Sequence, residues 1–308
     1  MRSRTVFLGY AVILGLGLVL AEFVGVDPGW MAIALWSWLI VVIVAGASGP
    51  YTDEMLDRWS LRYDVAMDHP RREWIRARLC RARRARWAAV GLGMGVAWTP
   101  TFVGMVAPEH SGFTAVVFLG WNTPLIALIA AALGTLISEL VVVQRPRGAR
   151  LAALERRKWG HYVGDHWRSL LTGSSGVAVL AAAAVLSDRS RHPSTDGRVA
   201  AVAAAWTVVA LVLALVGMRA IVDRPLLAVA GMDRQLDEAL RADGAHHLVG
   251  AAVAMSLFGS SVALNEVLPG GLPGLLVFVF GPWFGVACWW FLARQETWNV
   301  ERVRWRRA

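Results

Sequence analysis

The chain has 308 residues, 56% of them hydrophobic, with a mean hydropathy of +0.50 and a formal net charge of +9. Soluble domains carry about 45–50% apolar residues, and here the excess is gathered into long runs, which excludes an ordinary water-soluble globule. The two cysteines, Cys80 and Cys288, lie in no C-x-x-C motif, so no disulfide framework and no thiolate metal site follow.

A helix needs about 20 apolar residues to cross the hydrocarbon core. Eight runs meet that need: Thr5–Val26, Trp30–Gly46, Trp87–Ala107, Phe113–Val143, Ser169–Leu186, Val199–Val222, Leu248–Leu268 and Leu272–Ala293. The first is longer than the apolar core of a signal peptide, and no A-x-A site precedes the second, so it is expected to be retained. The turn at Asp27-Pro28-Gly29 joins spans one and two, and the Pro/Gly-rich link from Leu268 to Gly274 joins spans seven and eight.

Between spans two and three lies Tyr51–Arg86, the one extramembrane segment long enough to hold structure. Asp53, Glu54 and Asp57 begin a helix, with acids at its positive end, and Pro70 breaks it. Arg71–Arg86 then carries eight arginines around Trp74, Ile75 and Leu79. That pattern predicts an amphipathic helix lying on the inner membrane surface. Arg71, Arg72, Trp74, Arg76, Arg83 and Arg84 are its candidate contacts for lipid headgroups or a partner.

The fourth run is too long for one straight span, and Asn122-Thr123-Pro124 interrupts it. Proline removes a backbone donor and frees a carbonyl. Thr99-Pro100 in span three and Gly281-Pro282 in span eight are expected to give similar breaks; a plain kink is the first expectation for each and a transport-site break the alternative. Polar groups inside a bilayer are costly and point to function. Glu139, about one turn inside the end of span four with Thr135 and Ser138 nearby, is the main candidate for an ion or substrate pathway. Asn122, Pro124 and Pro282 join it as broken-helix positions. Glu22, Glu266 and Asn265 fall near the opposite ends of their spans.

Charge supplies the orientation. Of 31 basic residues, 28 fall at the termini and in alternate gaps, while Arg189, Arg191 and Arg198 share one loop. Lys and Arg are retained on the cytoplasmic side, so both termini and the longer loops are expected inside. The same basic loops account for a pI of 10.8 by facing anionic headgroups, with no nucleic acid involved. Only one basic residue, Lys158, is a lysine, which reflects a GC-rich bacterial genome and carries no mechanism.

Short internal matches suggest duplication. Asp53-x-x-Leu56-Asp57 follows span two and Asp233-x-x-Leu236-Asp237 follows span six. Two four-helix halves, 1–143 and 144–308, would form a parallel repeat. Val143-Gln144-Arg145-Pro146 and Val222-Asp223-Arg224-Pro225 instead favour a two-helix unit.

Gly173-Ser174-Ser175-Gly176 fits G-x-S-G, the nucleophile motif of rhomboid proteases, and His246-His247 follows two spans later. A serine nucleophile needs a base within hydrogen-bond reach. The face is cytoplasmic, though, and no His-x-x-x-Asn pair is present for an oxyanion. Small-residue helix packing is the expected role. All seven histidines are expected in loops or at span ends, with none paired in a bundle to hold haem. His161, Asp165 and His166 have poor metal spacing.

The expected fold is an all-α polytopic bundle of eight spans, N-in and C-in, in the cytoplasmic (inner) membrane. A transporter or exporter membrane subunit without its own ATPase is the first functional expectation, since no Walker A loop occurs. The alternative is a non-catalytic assembly or regulatory protein that docks a cytoplasmic partner, or a second copy of itself, through its basic loops. An intramembrane enzyme comes third. No catalytic residue, metal or cofactor is expected.

Overall fold

The computed structural model describes residues 51–66, 68–106, 130–137, 150–151, 158–187, 198–223, 226–227 and 234–268, with scattered helical positions between 37 and 48 and between 280 and 292. Among these the fold is helical, apart from one antiparallel pairing of Arg150–Leu151 with Leu226–Leu227.

Helix α1 (Asp53–Tyr63) starts where the Thr52 hydroxyl accepts from the Met55 N–H at 3.3 Å. This satisfies one of the donors that a helix start leaves over. Leu56, Trp59 and Tyr63 repeat at helical spacing and are buried. Asp64, in the left-handed region at φ 48, ends the helix.

Helix α2 (His69–Val106) then runs for 38 residues. The Asp68 carboxylate accepts from the Arg71 N–H at 3.1 Å and caps its start. Pro70 stands in the first turn, where a missing N–H costs nothing. One expectation is corrected here. Arg71–Arg86 is not a separate surface helix but the first half of α2, continuous with the third apolar run. The helix runs on through Thr99-Pro100. The apolar stripe of Ile75, Leu79 and Ala82 is buried, with Ile75 and Leu79 in one core with Leu56, Trp59, Tyr63, Tyr162 and Trp167. Across the α1–α2 hairpin, Arg72 pairs with Asp53 and Asp57, and Arg76 pairs with Asp53. These pairs are substantially exposed, so they orient the hairpin more than they stabilise it.

Helices α3 (Asp165–Ser187) and α4 (Arg198–Asp223) begin and end within four residues of the fifth and sixth predicted spans. Helix α5 (Arg234–Val267) has 34 residues and starts well before the predicted seventh span. Residues 234–247, expected in a cytoplasmic loop, are its first turns. The stretch Gln235-Leu236-Asp237-Glu238-Ala239-Leu240-Arg241-Ala242 consists almost entirely of strong helix formers, which propagate the helix.

Among the described residues three helices are long and apolar enough to cross a membrane: α3, α4 from Ala203, and α5 from Gln235 to Asn265. Their surroundings differ. The most apolar window of α5 is 83% buried, against 39% for α3 and 33% for α4. Helix α5 is therefore enclosed, with α3 and α4 packed on it. The outer faces of α3 and α4 present Val177, Val179, Leu180, Val208, Val212, Leu215 and Val216, an apolar surface suited to lipid.

Small residues let α5 be approached closely. A Cβ added at Gly259 would lie 2.9 Å from the Ala203 carbonyl oxygen of α4, and the Gly285 Cα leaves room for the Ala254 carbonyl of α5.

Candidate functional site

One end of the bundle gathers the charged residues. The start of α3, the end of α4, the start of α5, the α1–α2 hairpin and the 3-10 turn Trp159–His161 all meet there. Three polar contacts, two buried and one part-buried, follow one another along the first four turns of α5.

The first pairs Asp237 with Arg241. Both side chains are 0% exposed, and Nε lies 2.7 Å from Oδ2. A buried arginine must satisfy several donors. Its Nη1 donates to the Ile221 and Val222 carbonyls, the latter at 3.3 Å. Those are among the final carbonyls of α4, which lack helical partners and carry the negative end of its dipole. Arg241 thus fastens the end of α4 to α5.

The second joins the Tyr162 hydroxyl to the Glu238 carboxylate. Glu238 shares the α5 start with the first pair, and Tyr162 follows the 3-10 turn, so this contact holds the turn on α5.

The third is centred on Asp243, which is 8% exposed. The Tyr63 hydroxyl of α1 donates to its Oδ1 at 3.3 Å, and Arg86 Nη2 of α2 lies 3.6 Å from its Oδ2. Burial, and then the nearby Asp243 carboxylate, push the Tyr63 phenol well above its usual value. The same two causes, in that order, raise Tyr51. Both phenols are held neutral, which is the form that can donate to a carboxylate.

His246 is 2% exposed and stands inside α5, not in a loop or at a helix end as expected. Its Nε2 lies 2.8 Å from the Tyr162 carbonyl oxygen. A carbonyl only accepts, so Nε2 carries the hydrogen and Nδ1 is the bare nitrogen of the neutral ring. Among the described residues no hydrogen bond reaches Nδ1 of His246 or of His247. Asp243, His246 and His247 share one turn, yet among the described residues no group of three His, Cys, Asp or Glu converges as metal ligands.

The G-x-S-G segment lies elsewhere. Ser174 and Ser175 are buried on α3, and their hydroxyls donate to the Leu170 and Leu171 carbonyls at 2.7 Å each. Ser175 Oγ also meets Ser256 Oγ of α5 at 3.0 Å, and Ser260 donates to the Ser174 carbonyl at 2.5 Å. His247 precedes Ser256 by nine residues, about 13 Å along the helix axis. Among the described residues no base reaches Ser175; its hydroxyl is spent on α3–α5 packing.

No protein-family model, no curated protein and no solved structure matches the chain.

The candidates read from sequence divide in two. Glu139, Asn122, Pro124 and Pro282 lie outside the described residues. The six of α2 are all placed. Arg71 pairs with Asp68, and Arg72 and Arg76 pair with α1. Trp74 packs on the core with Arg78 5.8 Å above its ring. Arg83 lies 5.0 Å over the Tyr51 ring, and Arg84 is exposed.

Asp243, Tyr63, Glu238 and the Asp237–Arg241 pair were not among the sequence candidates. One signal pointed to the Asp237–Arg241 pair: an acid and a base at four-residue spacing in a Pro-free, Ala-rich stretch leading into an apolar run.

Proposed function

We propose that the chain is a multi-pass protein of the cytoplasmic membrane, with eight spans and both termini inside, that acts in transport as a membrane subunit lacking its own ATPase. The alternating basic gaps support the orientation, and the three long apolar helices support the membrane setting. In this reading the Asp243 end of α5 faces the cytoplasm.

The observation that carries the transport reading is the Asp243 cluster. A carboxylate, a guanidinium, a phenol and two imidazoles are gathered at the end of an enclosed apolar helix. Ionisable groups so placed are expensive, and they commonly mark ion or substrate pathways. Glu139 and the broken-helix positions Asn122, Pro124 and Pro282 complete the proposed pathway.

The test works whatever the substrate. Small molecules inside and outside cells are compared for the wild-type chain, Asp243→Asn, Glu139→Gln and no chain. Transport predicts a class of molecule whose distribution shifts alike in both variants and in the null, at unchanged membrane abundance. Identical distributions in all four would contradict it.

A second reading, a docking protein for a cytoplasmic partner, is favoured by the exposure of Arg81 and Arg84 beside the paired Arg72 and Arg76. It predicts a protein partner lost from Arg81→Glu/Arg84→Glu. Deleting 71–86 would be a poor test, since Ile75 and Leu79 are core.

A further inference from the structure

His246 has a feature that packing does not require. Its Nε2 hydrogen is spent on the Tyr162 carbonyl, and its Nδ1 lone pair is buried with no donor among the described residues. Buried polar atoms are usually satisfied, and a bare imidazole nitrogen in a polar cluster is a place for a proton. Asp243 lies three residues before His246 and four before His247. Side chains at those spacings share a helix face.

The surroundings decide what a proton would do. From α1, Arg62 and Tyr63 face the cluster, and from α2 Arg86 pairs with Asp243. Tyr51, with Arg83 against its ring, stands beside Asp243 and Arg86. The 159–163 turn offers the Tyr162 carbonyl, and α5 supplies Asp243 and His247. Among the described residues Asp243 is thus the one anion of the cluster; Arg86 of α2 pairs with it, and Arg62 of α1 is a second cation nearby. An imidazolium would give Asp243 a further cation, on its own helix, and add repulsion toward Arg62 and Arg86.

We infer that the imidazole pair His246–His247 is a proton-binding site, whose occupation exchanges the interhelical Arg86–Asp243 pair for an imidazolium–carboxylate pair within α5 and loosens α2 from α5. The proton enters at Nδ1 while Nε2–H stays on the Tyr162 carbonyl. The site stands on its own geometry; its role as the coupling ion rests on the transport reading.

The test uses the full chain in lipid nanodiscs, with Cys80→Ser and Cys288→Ala. Spin labels are placed at Arg84→Cys on α2 and Ser169→Cys on α3, both exposed positions. Burial lowers both imidazoles, His246 to about 4 and His247 to about 3. Between about pH 7 and about pH 3 the label distance should therefore change by about 2 Å, the usual scale of helix shifts at interfaces. His246→Gln/His247→Gln keeps an N–H for the Tyr162 carbonyl and has no base, so its distance should not respond to pH. Asp243→Asn should hold the acid-state distance throughout. Proton uptake, read with a pH dye in the same nanodiscs, should be greater in wild type than in the double glutamine variant.

A wild-type distance that ignores pH would overturn the inference, as would equal uptake by wild type and the glutamine variant. No transported molecule enters these measurements. A pH-driven shift with unaltered cellular distributions would sink transport and leave the proton site standing.

Discussion

Ser175 of α3 and Ser256 of α5 face each other with their hydroxyl oxygens 3.0 Å apart, both buried. Each is a small residue at a helix crossing, and the contact fixes the register of the two helices. Ser175→Ala removes the hydroxyl's bonds to the Leu171 carbonyl and to Ser256 and should cost about 1–2 kcal/mol. Ser175→Leu adds bulk where the backbones approach and should cost more, about 1–3 kcal/mol. Thermal melts of the purified chain in detergent measure both. Equal, negligible effects would show that the crossing is not tightly packed.

Gly259 tests the neighbouring crossing. A Cβ there would meet the Ala203 carbonyl oxygen at 2.9 Å and the Thr207 side chain. Carbonyl backbone cannot swing away as a side chain can, so Gly259→Val should part α4 from α5 and cost about 1–3 kcal/mol. Gly173, with nothing within 4 Å of an added Cβ, is the internal control. Gly173→Ala should be neutral or slightly stabilising, because alanine propagates a helix better.

The Asp237–Arg241 pair is fully enclosed. Removing one partner strands the other charge in a low-dielectric interior, at about 3–5 kcal/mol. Asp237→Asn and Arg241→Met should each reduce folded yield sharply. Their combination should cost less than the two added together, since neither charge is then left alone. Strict additivity in a double-mutant cycle would mean the two side chains do not interact.

Tyr63 gives a pH signature outside the spans. Its neutral form is favoured in the folded chain, so its contribution to stability is fully present below the ordinary phenol value of 10.0. It is lost as pH rises through the higher folded value. Ultraviolet titration should therefore show Tyr63 ionising only as the protein unfolds in alkali, later than Tyr51, which is raised less. Tyr63→Phe should take one tyrosine's share out of that last step. A Tyr63 that ionises at an ordinary pH would mean it is not buried against Asp243.

Much of the fold was legible because a bilayer leaves few choices. Lipid requires long apolar helices, and α3 and α4 stand close to where their apolar runs placed them. The ends of α2 and α5 were not legible from hydropathy alone. Arg71–Arg86 and residues 234–247 are polar, yet each extends an apolar helix without a break. Helix propensity and the lack of an internal proline carry the chain on where hydropathy signals a loop.

The site was less visible still. Asp243, His246 and Tyr63 have little meaning until α1 folds back against α5, since Tyr63 and Asp243 are 180 residues apart. The duplication motif shows the same limit. Leu56 and Leu236 are both buried, but Asp57 is exposed and ion-paired to Arg72, while Asp237 is enclosed with Arg241. Similar letters serve different contacts.

That α3 and α4 face lipid around an enclosed α5 is tested most directly by spin-label accessibility in nanodiscs. Labels at Leu180 and Val212, both exposed apolar positions, should collide readily with oxygen, which concentrates in lipid, and hardly with a water-soluble nickel chelate. A label at Ala252 of α5 should be shielded from both. Ready collision of the chelate with positions 180 and 212 would place those faces in water and contradict the membrane reading.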